Sequence, residues 1–167
     1  MGLCLSSSST RADWAPVSPC GCGYQHYCAA KMQLRAHPLE PVNQTLLAPL
    51  LKRPEHDAVR IYFVCAKCGK ENKCTYELTG VGKHSRWEYY GRSLKIVVQT
   101  KLNVSYETVE DIFRGMWKKY NLKRANCQHW ALDFFNRVGK ESTEAFDTYR
   151  EPIGSEIFFH AIKQNDS

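Results

Sequence analysis

The sequence predicts an α+β fold in which a small antiparallel sheet packs on two helices, and a change in hydrophobic periodicity supports this prediction. From residue 57 to residue 102, β-branched and aromatic residues cluster in short strand-like segments. From Val109 onward, apolar residues recur every three or four positions, which is the spacing of a helix. A chain of 167 residues with 43% hydrophobic and 24% charged residues has the composition of one globular domain with tails.

Three segments are predicted to be strands. The first is Ala58 to Val64 (AVRIYFV), and the second is Lys73 to Thr79 (KCTYELT), in which apolar and polar side chains alternate. The polar segment between them contains a glycine, so the two strands should form a hairpin. Leu94 to Leu102 is the third predicted strand, and residues 80–93 (GVGKHSRWEYYGRS) are expected to form a loop.

Two amphipathic helices are predicted after the strands. The first has Ser105 as its N-cap and an apolar stripe formed by Val109, Ile112, Phe113, Met116, Trp117 and Tyr120. The second begins at Cys127, with Asn126 as its N-cap and Gly139 just past its end. Its stripe consists of Cys127, Trp130, Ala131, Phe134 and Val138.

The predicted core spans residues 51–140, between two less regular segments. Residues 1–50 are expected to be irregular and partly disordered, because prolines punctuate them, although a helical turn over residues 28–35 is an alternative. Residues 141–167 form a C-terminal extension, in which GSEIFFHAI could close the fold as a strand or as a helix.

The net charge and the lengths of the apolar segments limit which partners and which cellular locations we expect for this protein. A net charge of +6 arises from dispersed lysines and arginines, which argues against direct binding of nucleic acid. No apolar run approaches the roughly 20 residues that span a bilayer, and the N-terminus lacks the features of a secretory signal. We therefore expect a cytoplasmic protein with reduced cysteines. The sequence leaves the oligomeric state open.

The N-terminus matches a lipidation pattern. Gly2 after the initiating methionine, with Ser6 four positions later, fits the N-myristoylation motif. A single myristoyl chain anchors weakly, and Cys4 could supply a second anchor by S-palmitoylation. The expected partner of this segment is a membrane surface, and the alternative is an ordinary polar start of the chain.

Cys127 is the candidate nucleophile. A thiol in the first turn of a helix lies near unpaired N–H groups and the positive end of the helix dipole, both of which favour the reactive thiolate. The alternative is a buried structural cysteine, a common fate of this residue type. His129 lies two positions further on, so it projects from another side of the helix and is not the base for this cysteine.

The segment NCQHWALDFFNRVG, from Asn126 to Gly139, resembles the NC box of the H-box/NC proteins. These include lecithin:retinol acyltransferase and the HRAS-like phospholipase/acyltransferases. The resemblance covers residues 54–140 and implies a circularly permuted papain-like (NlpC-type) catalytic core. It also implies an acyltransferase or lipase that acts on lipid acyl chains through a thioester on the cysteine.

The resemblance also implies a histidine that opens an earlier strand, and His56 in HDAVRI fits that place. Asp57 departs from the aromatic residue that is usual there. The third polar position falls on Glu77, where family members often have histidine, but a carboxylate can also orient an imidazole. His84 is the rival base, in a segment predicted to be a loop. A thiol peptidase and a non-catalytic, membrane-associated interaction module of the same fold remain alternative functions.

Three clustered cysteines could contribute to a structural zinc site. Cys65, Cys68 and Cys74 have the spacing of a partial zinc knuckle, and a structural zinc ion needs four ligands. The fourth ligand would come from the set Cys20, Cys22, His26 and Cys28. In the alternative interpretation Cys74 packs in the core, and no cofactor is expected apart from such a zinc ion.

Overall fold

The fold is α+β, with a five-stranded antiparallel sheet and two helices. A computed structural model describes residues 20–38, 55–88, 95–119, 121 and 126–143. The strands, in chain order, are β1 (Tyr27–Pro38), β2 (Glu55–Cys65), β3 (Glu71–Thr79), β4 (Gly82–Trp87) and β5 (Lys95–Ser105). They are arranged in the order β4-β3-β2-β1-β5. The predicted class and the predicted β2–β3 hairpin are therefore confirmed.

The segment expected to be irregular contains strand β1, so that prediction is wrong for residues 27–38. β1 pairs with both β2 and β5 and occupies a central position in the sheet. Its register shifts between Ala29 and Lys31, a β-bulge that moves the core-facing residues from odd to even positions. The core residues are accordingly Tyr27 and Ala29 before the bulge and Met32, Leu34 and Ala36 after it. One extra residue thus breaks the alternation by which a strand is predicted.

A second correction concerns residues 80–93, predicted to be a loop, because Gly82–Trp87 forms strand β4. β4 pairs antiparallel with β3 through a tight turn, in which Thr79 is opposite Gly82. Gly82 has a φ of 134°, a backbone conformation that L side chains rarely adopt. All six residues of β4 are half-buried, and Trp87 packs on Phe63 and Tyr27.

Helix α1, Tyr106–Gly115, begins at the predicted cap and ends earlier than predicted. Ser105 Oγ accepts a hydrogen bond from the Thr108 N–H at 3.1 Å. At the other end, the Lys83 ammonium donates to the carbonyl oxygens of Phe113, Arg114 and Met116 at 2.6, 3.0 and 2.9 Å. A lysine from β4 thus satisfies carbonyls that the end of a helix leaves without intrahelical partners.

Helix α2, Cys127–Lys140, begins where the sequence predicts. Asn126 is its N-cap, with extended backbone and a side chain that accepts from two N–H groups of the first turn. The helix includes Gly139, which was predicted to lie just past its end, and ends at Lys140. Neither described helix is long and apolar enough to cross a membrane.

The core lies between the sheet and the two helices. Trp130 and Phe134 of α2 stack with ring centroids 5.1 Å apart, and Phe134 contacts Tyr76 of β3 at 5.1 Å. Glu110 of α1 is buried in this layer and accepts a hydrogen bond from the Tyr76 hydroxyl at 2.7 Å. Burial raises the pKa of Glu110 to about 7, although its hydrogen bonds with Tyr76 and Tyr106 act in the opposite direction.

We expect Glu110 to make the stability of the fold pH-dependent. The pKa of Glu110 rises from 4.5 to about 7 on folding. The protonated carboxyl group therefore contributes fully to the stability of the fold below pH 4.5, and this contribution is lost as the pH rises through 7. Glu110→Gln retains an acceptor for Tyr76 and cannot ionise. Each unit of pKa shift corresponds to about 1.4 kcal/mol, so the variant should gain stability over the natural chain at pH 8. Urea unfolding at pH 5 and pH 8 measures this; an equal pH dependence in both proteins would contradict it.

Candidate active site

The first turn of α2 presents Cys127. Cys127 is the first residue of the helix and is 1% exposed. The Asn126 Oδ1 accepts from the N–H groups of Gln128 and His129 at 3.0 and 3.2 Å, which fixes the backbone of this turn. The thiol therefore lies at the positive end of the helix dipole, as the sequence predicts.

The beginning of β2 lies beside this turn. Helix α2 packs on β2 and β3, and the Gln128 side chain donates to the Glu55 carbonyl oxygen at 3.2 Å. Glu55 is the first residue of β2, and His56 follows it. This contact brings the start of the strand to the start of the helix, and places the His56 ring close enough to the Cys127 thiol for the two groups to interact electrostatically.

Glu77 holds the other side of the His56 ring. His56 Nε2 lies 2.8 Å from Glu77 Oε2, and Glu77 is completely buried on β3. The second carboxylate oxygen, Oε1, accepts a hydrogen bond from the Arg86 guanidinium on β4. Because Nε2 is directed at Glu77, the Nδ1 atom is the ring nitrogen left for Cys127. The side chains thus form a series in space: the thiol of Cys127 on α2, the imidazole of His56 on β2, the carboxylate of Glu77 on β3 and the guanidinium of Arg86 on β4.

The surroundings of His56 favour its protonated form. Burial lowers the pKa of His56, but its hydrogen bonds with Cys127 and Glu77, together with their negative charges, outweigh burial and raise the pKa to about 10. His56 is consequently an imidazolium at neutral pH.

The other histidines named from the sequence lie elsewhere. His84 is on β4 rather than in a loop, and its Nε2 lies 3.2 Å from the Thr79 hydroxyl. His129 is half-buried on α2. Of the two candidate bases, the structure brings His56 into contact with Cys127.

Sequence reasoning missed two residues near His56. Arg86 was missed because Lys83 to Arg86 are four consecutive polar residues, a run without the alternation of a strand that favours a loop. His37 is buried and stands opposite His56 in the register of β1 and β2. Its position depends on a strand that the sequence did not reveal, so no local signal pointed to it.

Among the cysteines that the structure describes, four form a cluster and Cys74 lies apart from it. Cys65 and Cys68 lie together with Cys20 and Cys22, and the four sulfur atoms are all within 4.8 Å of one another. Cys74, expected to belong with Cys65 and Cys68, is instead buried on β3 in the hydrophobic core, where burial raises the pKa of its thiol. The reason is its place in the strand, since Cys74 shares the core face with Tyr76 and Leu78.

Comparison of the chain with protein-family models, with curated proteins and with solved structures gives no match. The fold and the contacts define an α+β protein with a cysteine, a histidine and a carboxylate in series. The lipidation candidates Gly2 and Cys4 and the extension beyond residue 143 lie outside the described residues.

We expect Glu77→Gln to lower the pKa of His56, because a neutral amide cannot stabilise the imidazolium. In the natural protein, the pKa of His56 rises from 6.5 to about 10 on folding. The protonated His56 therefore stabilises the folded state fully below pH 6.5, and this contribution is lost as the pH rises through 10. Removing one partner of a buried ion pair costs about 3–5 kcal/mol, so the variant should be less stable at pH 7. Its stability should also fall less steeply between pH 7 and pH 10.

NMR titration of the His56 ring and denaturant unfolding across this pH range measure both effects. Glu71→Gln is the matched control, because it makes the same change at an exposed position of the same strand. A His56 pKa that is the same in the Glu77→Gln and Glu71→Gln variants would contradict the role given to Glu77.

Proposed function

We propose that this protein is a thiol-dependent acyltransferase or lipase, in which Cys127 carries the acyl group. The observation that supports this best is the position of the His56 ring, which interacts electrostatically with Cys127 and hydrogen-bonds with Glu77 through Nε2. This is the arrangement of nucleophile, base and orienting carboxylate that covalent acyl transfer requires.

In the first half of the proposed reaction, the thiol proton resides on His56 and the thiolate attacks the carbonyl carbon of an ester. A C–S bond forms and the carbonyl oxygen takes up the negative charge. The C–O bond of the ester then breaks, and the imidazolium returns its proton to the leaving alkoxide. The products of this half-reaction are an alcohol and a thioester on Cys127.

In the second half, water, a hydroxyl or an amine attacks the thioester. His56 accepts the proton of the incoming group, the C–S bond breaks, and the acyl group leaves as an acid, an ester or an amide. Glu77 holds the ring through Nε2 in both halves, and Arg86 holds the carboxylate in turn. We regard Glu77 and Arg86 as positioning residues because they act through His56.

The N-terminal end of α2 supplies the proposed oxyanion contact. Asn126 accepts from the N–H groups of Gln128 and His129, so we assign the contact with the developing oxyanion to the Cys127 N–H. A backbone donor held rigidly by a capped helix needs little rearrangement as charge develops.

We further propose that the substrate is a lipid acyl chain and that the chain belongs to the H-box/NC branch of the permuted papain-like proteins. The order His56, Glu77, Cys127 along the sequence is the order which that resemblance implies. Myristoylation at Gly2 and palmitoylation at Cys4 would place the protein on the cytoplasmic face of a membrane, next to its substrate.

The test is to trap the acyl-enzyme. The full chain is incubated with phosphatidylcholine vesicles that carry a fluorescent acyl chain, quenched in acid, and analysed by intact-protein and peptide mass spectrometry. We expect a hydroxylamine-sensitive acyl adduct on the Cys127 peptide. Cys127→Ser should lose this thioester, and His56→Gln should form it at least about 100-fold more slowly, the scale of general acid–base catalysis.

His84→Gln is the matched control, because it makes the same change on strand β4 of the same sheet and should leave the adduct intact. Equal loss of the adduct in the His84 and His56 variants would contradict the assignment of His56. Turnover of a peptide amide with no acyl adduct from lipid would overturn the lipid substrate in favour of a thiol peptidase. Absence of any Cys127 adduct, with lipid or peptide, would favour the non-catalytic module.

A further inference from the structure

Two turns of the chain meet at the end of β2 and bring four cysteines together. One turn precedes the short 3-10 helix Tyr24–His26 and carries Cys20 and Cys22, while the other joins β2 to β3 and carries Cys65 and Cys68. A backbone hydrogen bond joins the two segments: the Ala66 N–H donates to the carbonyl oxygen of His26, at the end of the 3-10 helix, at 2.7 Å. Residues more than 40 positions apart in sequence therefore converge on one point.

The separation of the sulfur atoms suits a tetrahedral metal ion. Zinc–sulfur bonds of about 2.3 Å in a tetrahedron place the sulfurs about 3.8 Å apart. The four sulfurs here lie within 4.8 Å of one another, so a small contraction of the two turns gives that geometry. The ligand spacings, Cys-x-Cys in one turn and Cys-x2-Cys in the other, allow each turn to supply two ligands.

Both turns have the local structure that a two-ligand turn needs. Gly21 and Gly23 flank Cys22 and have φ values of 70° and 97°, and Gly69 follows Cys68 with a φ of 75°. These positive values are readily adopted by glycine and reverse the chain within a few residues. The Gly69 N–H donates to the Cys65 carbonyl oxygen at 2.7 Å, which closes the second turn.

A hydrogen-bond donor lies behind one of the sulfurs. The Tyr27 hydroxyl donates to Cys20 Sγ at 2.8 Å and accepts from Asn72 Nδ2 at 3.0 Å, which orients it. Donors of this kind stabilise the charge of a metal-bound thiolate. Four thiolates and one Zn²⁺ carry a net charge of −2, and Lys67 and Lys70, which lie within two positions of Cys68 in the sequence, add positive charge to this turn.

We propose that Cys20, Cys22, Cys65 and Cys68 bind one structural zinc ion. Each thiol releases its proton to solvent on binding, so the four thiolates and Zn²⁺ form the complex without any change of oxidation state. Four protein ligands fill the tetrahedron and leave no position for water or substrate, which makes the site structural rather than catalytic. The ion would fasten the segment before β1 to the β2–β3 turn.

The zinc site and the candidate active site lie at opposite ends of β2. Cys65 is nine positions after His56, a distance of roughly 30 Å along a strand at about 3.3 Å per residue. The zinc proposal does not depend on the proposed acyl transfer, and each can fail while the other stands.

The test uses the full chain, purified with a reducing agent and without chelators. We expect elemental analysis to find about one zinc ion per chain. Replacement by cobalt should give the intense visible bands and the near-ultraviolet thiolate-to-cobalt charge-transfer band of a tetrahedral four-thiolate site. A folded chain that contains no zinc and gives no such cobalt spectrum would overturn the proposal.

Variants assign the ligands. Cys22→Ser and Cys68→Ser should each weaken zinc binding, measured by competition with a chromophoric chelator, by more than the roughly 10-fold to 100-fold expected for losing an outer partner. Tyr27→Phe should fall within that range. Cys127→Ser is the matched control, which should bind zinc as the natural chain does. Unchanged affinity in both ligand variants would overturn the assignment.

Alkylation of the natural chain provides a test that does not depend on variants that fold. Cys68 is exposed, so as an uncoordinated thiol it would react rapidly with iodoacetamide. We expect peptide mapping to show Cys68 protected until a zinc chelator is added, together with a chelator-induced fall in the melting temperature. Rapid alkylation before chelation, or disulfides among the four cysteines in the reduced preparation, would contradict zinc binding.

Discussion

The arrangement of β2, β3, β4 and α2 depends on the contacts that the buried carboxylate of Glu77 makes with His56 and Arg86. A charge in the interior is tolerated only when partners compensate for its lost hydration. One partner, His56, comes from β2 and the other, Arg86, comes from β4, so both hairpins must be in register for the carboxylate to be satisfied. The His56 ring carries this constraint to Cys127 and hence to the first turn of α2.

Strand β2 connects the chemistry of the molecule to its core. Its first residues border Cys127, its middle residues Val59, Ile61 and Phe63 lie in the hydrophobic core, and its last residue is one of the four clustered cysteines. The two ends of this strand lie roughly 30 Å apart, and the effects of changes at sites separated by more than about 10 Å usually add independently. The two sites should therefore respond independently to chemical change, although they share a strand.

The sequence predicted elements whose signals are local, and it failed where the deciding contact is distant. The start of α2 was predictable because Asn126 and the apolar stripe lie within one segment. β1 was missed because its bulge interrupts the alternation, and β4 because half-buried polar residues resemble a loop. His56 and Glu77 were identified through a resemblance, whereas Arg86 and the grouping of Cys20 with Cys65 depend on tertiary pairing that no local pattern encodes.

The central place of β1 has a consequence for any shortened form of the chain. Residues 51–140, the span that the sequence marks as the core, omit the strand that separates β2 from β5. Without β1, both neighbours would present rows of unpaired N–H and C=O groups, and open strand edges of this kind recruit strands from other molecules. A fragment that begins at residue 51 would retain Cys127, His56 and Glu77, yet it would be prone to self-association through β2 and β5.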